Sequence, residues 1–177
     1  MWEIATVFLM VFVSCAKVES PEPQNLTREV KMNLKSSAFK NMEFIPPKYT
    51  ADSEDISPPL QIENVPEGAK SLVLIVDGPD APIGNWDHWI VFNIPSGTSK
   101  IPEGETPEGL RGTNDFGRLD WGGPAPPSGV HRYFFKLYAL DTILDIKEGA
   151  RKKEIEKTMK GHILAQATLI GKYARKK

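Results

Sequence analysis

The chain has 177 residues, 40% hydrophobic and 25% charged, which suits one soluble globular unit long enough to bury a substantial core. Its 22 Lys and Arg nearly balance 23 Asp and Glu, and the sequence pI is about 6.3, so no overall basic field draws a nucleic-acid backbone. The single cysteine, Cys15, excludes an intrachain disulfide.

Residues 4–13 form an apolar run broken only by Thr6, followed by Ser14-Cys15 and then by polar, Pro-containing sequence. About ten apolar residues are too few to cross a bilayer core of roughly 30 Å, so residues 1–15 read as a signal peptide. Cys15 follows the run and a small residue, as at a bacterial lipoprotein processing site, where it would be lipidated. Phe12 and the lack of Lys or Arg before the core, where only Glu3 is charged, depart from that pattern. Simple export and an uncleaved start therefore stay open beside the lipoprotein reading. The exported forms are expected in the periplasm or at the cell surface, with a membrane link only through a lipid on Cys15. Residues 16–28 read as a flexible tether, because Pro21, Pro23 and several turn formers interrupt any apolar period. Residues 29–177 then form the globular domain.

Within residues 30–35, Val30, Met32 and Leu34 alternate with Lys31, Asn33 and Lys35, the period-two pattern of a strand with one wet face. Leu72-Val73-Leu74-Ile75-Val76 is continuous and largely β-branched, as expected of a strand covered on both faces. Residues 88–93 and 131–140 supply two more apolar strands. In the first, His88, Ile90 and Phe92 are expected on one face, with Trp89, Val91 and Asn93 on the other. Residues 104–129 hold too many breakers for a helix and are too long for a hairpin turn. Residues 150–160 predict the one convincing helix, with Ile155 and Met159 on one face and Gly161 at the C-terminal cap. Residues 164–170 return to extended structure. Strands dominate, which predicts a mainly β fold of the β-sandwich class with one late α-helix.

Two of the three histidines start apolar strands just beyond Pro/Gly-rich loops. Asp77-Gly78-Pro79-Asp80-Ala81-Pro82 precedes Asp87-His88-Trp89, and Gly122-Gly123-Pro124-Ala125-Pro126-Pro127 precedes His131-Arg132-Tyr133. Stiff loops can fix backbone N–H groups while strand ends aim imidazoles at a common point, an arrangement suited to anion capture. Each histidine alone is as readily a hydrogen-bonded structural residue. Trp86, Trp89 and Trp121 wall a pocket or belong to the core, the latter being commoner for aromatic residues. His162 reads as a capping or packing residue. Arg132 faces away from His131 and Tyr133 and is read as the ion-pair partner of Asp115 or Asp120.

These loops, with Asp55-Ile56-Ser57-Pro58-Pro59-Leu60, Asn114-Asp115-Phe116-Gly117 and Gly161-His162-Ile163-Leu164-Ala165, resemble the phosphatidylethanolamine-binding protein family, most closely its bacterial and archaeal Raf-kinase-inhibitor-like branch. The resemblance spans roughly residues 30 to 173. It implies a large central sheet packed on a smaller one and an anion-binding pocket at the motif positions. Asp80, His88, Gly123, Ala125, Pro127, His131 and Tyr133 are its expected ligand-binding residues here. His88 and His131 would donate to phosphate oxygens, a bound dianion favouring the doubly protonated ring. Asp80 would orient an imidazole or accept from a ligand ammonium group, and N–H groups near Gly123 and Ala125 would form the floor. Tyr133 would supply a hydroxyl or pack. Where family members usually carry a second acid before the proline, this chain has Gly78, leaving Asp80 as the pocket carboxylate and Asp77 as a substitute.

The expected function is non-catalytic binding of phosphate, phosphorylated groups or phospholipid headgroups. The resemblance adds a regulatory role as inhibitor of a kinase or protease. No Gly-x-Ser-x-Gly elbow, His-Glu-x-x-His or Cys-x-x-Cys spacing occurs, so covalent catalysis lacks a nucleophile and neither cofactor nor resident metal is expected. The alternative is a hydrolase or metal-dependent enzyme using Asp80, His88 and His131.

Overall fold

The apolar run that stands out in the sequence becomes the central strand of the molecule. The computed structural model describes residues 31–175; the expected signal peptide, Cys15, the tether and Val30 lie outside the described residues. In chain order the strands are β1 (Asn33–Lys35), β2 (Glu43–Phe44), β3 (Leu60–Glu63), β4 (Ser71–Gly78), β5 (Trp86–Pro95), β6 (Lys100–Ile101), β7 (Leu110–Arg111) and β8 (His131–Leu140). Helix α1 (Lys152–Met159) and β9 (Ile163–Tyr173) follow. One sheet has six strands in the order β2-β9-β8-β4-β5-β7, the other three in the order β1-β3-β6. This is the expected mainly β architecture of two sheets and a late helix. No described helix is long and apolar enough to cross a membrane.

β4 is buried along its whole length because both faces of the large sheet are covered. Leu72, Leu74 and Val76 point into the layer between the sheets, where they join Leu34, Leu60, Ile62 and Ile101 of the small sheet. Val73 and Ile75 point the other way, with Ile90, Phe92 and the helix residues Ile155 and Met159. Burying Ile155 and Met159 stabilises the docked helix by about 1.5–3 kcal/mol each. The helix stops where predicted: Gly161 has φ +88°, a left-handed conformation that costs glycine little. The His162 N–H donates to Met159 O at 3.0 Å, while its Nδ1 lies 2.8 Å from Asp141 Oδ1, so His162 caps the helix end rather than packing.

Regular pleating predicts the faces of β1 and β8 but not of β5. Met32 and Leu34 are buried and Lys31 and Lys35 exposed, as the alternation requires. In β8, Tyr133, Phe135 and Leu137 point toward the small sheet. β5 contains two bulges. Asp77 pairs with Asp87 and Val76 with Trp89, so His88 is a surplus residue in the ladder. His88 consequently lies on the side of Trp89 and Tyr133, whereas Ile90 and Phe92 face α1, which overturns the face assignment made from strict alternation. The second shift lies between the pairs Leu72–Ile94 and Leu74–Val91, and Asn93 there has φ +54°. Its side chain does not follow Trp89 and Val91; it accepts from Leu144 N–H at 2.8 Å and donates to Leu144 O at 2.9 Å.

Candidate functional site

The bulge at His88 brings its ring to the ends of β4, β5 and β8, on the side facing the small sheet, where a cavity of about 310 Å³ opens. Gly78, Trp86, His88, His131 and Tyr133 supply the strand side of its lining. Three loops complete it, through Ala81, Pro82 and Ile83, through Phe116, and through Ala125, Pro126 and Pro127. His88, Ala125, Pro127, His131 and Tyr133 of the expected binding set thus line one space. Asp80 and Gly123 do not.

His88 is held by both its backbone and its ring. Its carbonyl accepts from Gly122 N–H at 3.1 Å and from Asn114 Nδ2 at 3.0 Å. Its Nδ1 lies 2.6 Å from the Gly122 carbonyl oxygen, which can only accept, so Nδ1 carries the proton. The Tyr133 and Phe116 rings pack edge-on to the imidazole, with centroids 5.1 Å and 5.5 Å away. Burial pushes the His88 pKa down, outweighing the Gly122 hydrogen bond and the charges of Asp77, Asp115 and Asp55. Without a ligand this shift favours the neutral ring, with Nε2 as an acceptor; the doubly protonated donor is the form expected with a bound dianion, which would bring or recruit the second proton. Tyr133 is buried in the same wall, and burial holds its hydroxyl above the ordinary tyrosine range.

The carboxylates expected near the imidazoles are committed elsewhere. Arg132 grips Asp80 through Nε (2.9 Å), Nη2 (2.7 Å) and its backbone N–H (2.9 Å), and these bonds hold the Asp80 carboxyl down at about 2. Asp80 therefore hydrogen-bonds to no imidazole and is not free to receive an ammonium group. The pairing of Arg132 with Asp115 or Asp120 is corrected by the same contact: Arg111 holds Asp120 at 2.9 Å and Arg151 lies 3.5 Å from Asp115. Asp77 is no substitute either. It points to the α1 side of β4, where Lys136 and Lys152 each approach Oδ2 to 2.7 Å and Asn85 donates at 3.0 Å. Burial alone would raise its pKa, but these partners turn the net shift downward.

Gly123 positions the loop instead of flooring the cavity. Its N–H donates to Asp55 Oδ1 at 2.7 Å, and a Cβ there would come within 2.8 Å of the Ala51 nitrogen and Thr50 carbonyl carbon. Trp89 and Trp121 belong to the core, packed edge-to-face at 5.8 Å, and only Trp86 reaches the cavity. Phe116 and Ile83 were not anticipated as lining residues. For Phe116 a signal existed: Asn114 Oδ1 accepts the N–H groups of Phe116 (3.0 Å) and Arg118 (2.9 Å), and Gly117 takes φ +75°. Asn-x-x-Gly turn chemistry of this kind presents the residue between them at a loop tip. Among the described residues no three His, Cys, Asp or Glu side chains cluster closely enough to hold a metal ion. With Asp80 on Arg132, the metal-dependent alternative lacks its ligand set.

What remains is an apolar chamber in which two imidazoles are the basic groups and no Asp, Glu, Lys or Arg forms part of the lining. The profile of the phosphatidylethanolamine-binding protein family matches residues 35–174. A UPF0098 protein of Pyrococcus horikoshii is 53% identical over 159 residues, covering 84% of this chain and 80% of that protein. A UPF0098 protein of Methanothermobacter thermautotrophicus is 53% identical over 150 residues, covering 81% of this chain and 99% of that protein. The crystal structure of a putative phosphatidylethanolamine-binding protein homolog from Chlamydia trachomatis superposes with a TM-score of 0.80 at 42% identity, covering 82% of this chain and 99% of that one. Escherichia coli YbcL, described as a new member of the mammalian family, gives a TM-score of 0.77 at 29% identity, covering 83% of this chain and all of that one (100%). On the extent of the profile match and the identity to these relatives, the chain belongs to the phosphatidylethanolamine-binding protein family.

Proposed function

We propose that this protein is a non-catalytic binder of small anions of the phosphate type, held in the cavity between His88 and His131. The observation that carries the reading is that both imidazoles line one proline-rimmed chamber with no other basic side chain in its lining. An anion entering it gains hydrogen bonds from the imidazole rings, charge-assisted once it brings a second proton to His88, in a setting where low polarity strengthens them. The loops pay little ordering entropy, because Pro82, Pro126 and Pro127 restrict the backbone and Gly122 is tied to His88. No Ser, Thr or Cys lines the cavity, so the lining offers no hydroxyl or thiol nucleophile beyond the phenol of Tyr133, which burial keeps protonated.

Titration with inorganic phosphate tests this directly. The ring signals of His88 and His131 should both shift in NMR spectra at millimolar phosphate. If both stay still, the reading is wrong. Export belongs to the same proposal and rests on the sequence of residues 1–15. Mass spectrometry of membrane-fraction protein should find an N-terminus at acylated Cys15; an intact Met1 would remove the lipid anchor.

A further inference from the structure

Gly78 leaves the wall beside His88 bare. A Cβ built on it would lie 3.4 Å from His88 Nε2 and 3.4 Å from Tyr133 Cε1, which is ordinary contact distance, and its φ is not in the left-handed range. Neither backbone nor packing therefore demands glycine at this position. Its effect is chemical: Nε2 faces open cavity where a longer side chain would stand.

Among the described residues the acids whose charge reaches the two imidazoles already have partners, Asp115 through Asp87 N–H at 2.8 Å and Arg151 at 3.5 Å. Asp80 is held by Arg132, Asp77 by Lys136 and Lys152 behind the sheet, and Asp55 by Gly123 N–H with Arg118 at 3.7 Å. The Arg118 guanidinium also sits 5.2 Å over the Phe116 ring, so that aromatic face already has its cation. An ammonium group entering the chamber would shed its water and meet Ala81, Pro82, Ile83 and Pro126, and the Trp86 and Tyr133 rings with His88 Nε2 return less than that desolvation costs, because no carboxylate forms part of the lining. An apolar body would instead exchange water for those same side chains at a gain.

We propose that the cavity, on the anion-binding reading above, selects phosphomonoesters with an uncharged apolar body over those carrying an ammonium group, and that Gly78 sets this selectivity. The acid group of the ligand occupies the space beside His88 Nε2 that a side chain at position 78 would take. A carboxylate introduced there repels the ligand acid and supplies the missing partner for a cation.

Calorimetric and NMR titrations of the full chain with phenyl phosphate, phosphoethanolamine and inorganic phosphate test the assignment. The wild type should bind phenyl phosphate at least about tenfold more tightly than phosphoethanolamine. Gly78→Asp should weaken phenyl phosphate about tenfold or more and bring phosphoethanolamine level with it or ahead of it. Gly78→Ala, which adds an uncharged methyl 3.4 Å from His88 Nε2, should weaken all three probes alike and so keep the wild-type order. Equal or tighter binding of phosphoethanolamine by the wild type overturns the selectivity, and an unchanged order in a folded Gly78→Asp overturns the role of Gly78. Both results leave phosphate binding itself intact. Failure of all three probes to bind the wild type, inorganic phosphate included, brings down the anion reading and this inference with it. Should Gly78→Asp not fold, Gly78→Glu carries the same test of position 78, and the wild-type titrations still decide the selectivity.

Discussion

Asp77 and Gly78 are neighbours on β4 and open onto two regions built on opposite terms. On the α1 side, Asp77 is fully buried and meets Lys136 and Lys152, and Lys152 also reaches Asp87 at 2.7 Å. On the cavity side, Gly78 faces a neutral imidazole among apolar residues. The first region contains its own counter-charges and ties the helix to the sheet. The second has no acid, Lys or Arg in its lining, and on the proposed function an anionic guest completes it. Buried charge on the α1 side finds its partners within the chain, whereas the cavity side keeps a neutral imidazole among apolar residues.

The sharpest way to break that contrast is Asp77→Ala. It leaves the Lys152 ammonium, which is largely buried, with Asp87 alone, and should cost about 3 kcal/mol in urea unfolding while phosphate affinity holds. A loss below about 1 kcal/mol would mean the network behaves like a surface ion pair. His88→Ala reverses the pattern: phosphate affinity should fall by about tenfold or more, with about 1–2 kcal/mol of stability lost through the Gly122 hydrogen bond and the Tyr133 and Phe116 contacts. Unchanged affinity would show that His131 alone holds the anion.

Acid should distinguish the regions further. The His88 pKa is depressed in the fold, so on acidification the unfolded chain takes up this proton first, near 6.5, and the folded form only at lower pH. The contribution of His88 is complete above about 6.5 and is lost as pH falls through that window toward the folded value. Asp77, lowered from 3.8, contributes fully above about 3.8 and loses that contribution as pH falls below it, a more acidic window than that of His88. Unfolding midpoints measured at pH 7.5 and 5.5 should drop for the wild type and drop less for His88→Gln; equal drops would place the proton uptake elsewhere. The smallest effect expected is that of Arg132→Ala, which should let the Asp80 carboxyl rise from about 2 back toward 3.8 in an NMR titration with little change in the cavity. A large loss of phosphate affinity in that variant would return Asp80 to the site.

Much of the frame could be read from the chain because its signals are local. The β-branched run of β4, the alternation before Lys35 and the Ile155/Met159 pair with Gly161 each record a period or a cap, and each formed. The cavity was legible in outline for the same reason, since stiff loops before His88 and His131 mark two strand ends that the ladder then sets side by side. What escaped was pairing across distance. Nothing near Arg132 in sequence indicates Asp80, 52 residues away, as its partner. Nor does the chain around His88 reveal that β5 holds a surplus residue against β4; only the register of the two strands does. The place of Gly123 is not legible in the sequence, because a glycine that admits a neighbouring backbone and one that admits a ligand read alike until the Asp55 contact is seen.

The bulge gives the molecule an unusual point of vulnerability. Deleting Asp87 while keeping the histidine would remove the extra residue and slide His88 into the rung opposite Asp77. The imidazole would then turn toward Lys152 and the helix, and the chamber would lose a basic group although no residue of its lining had been exchanged. Change in the length of this strand, more than change in its composition, is the shortest route by which a descendant or a designer could retire the site and keep the scaffold.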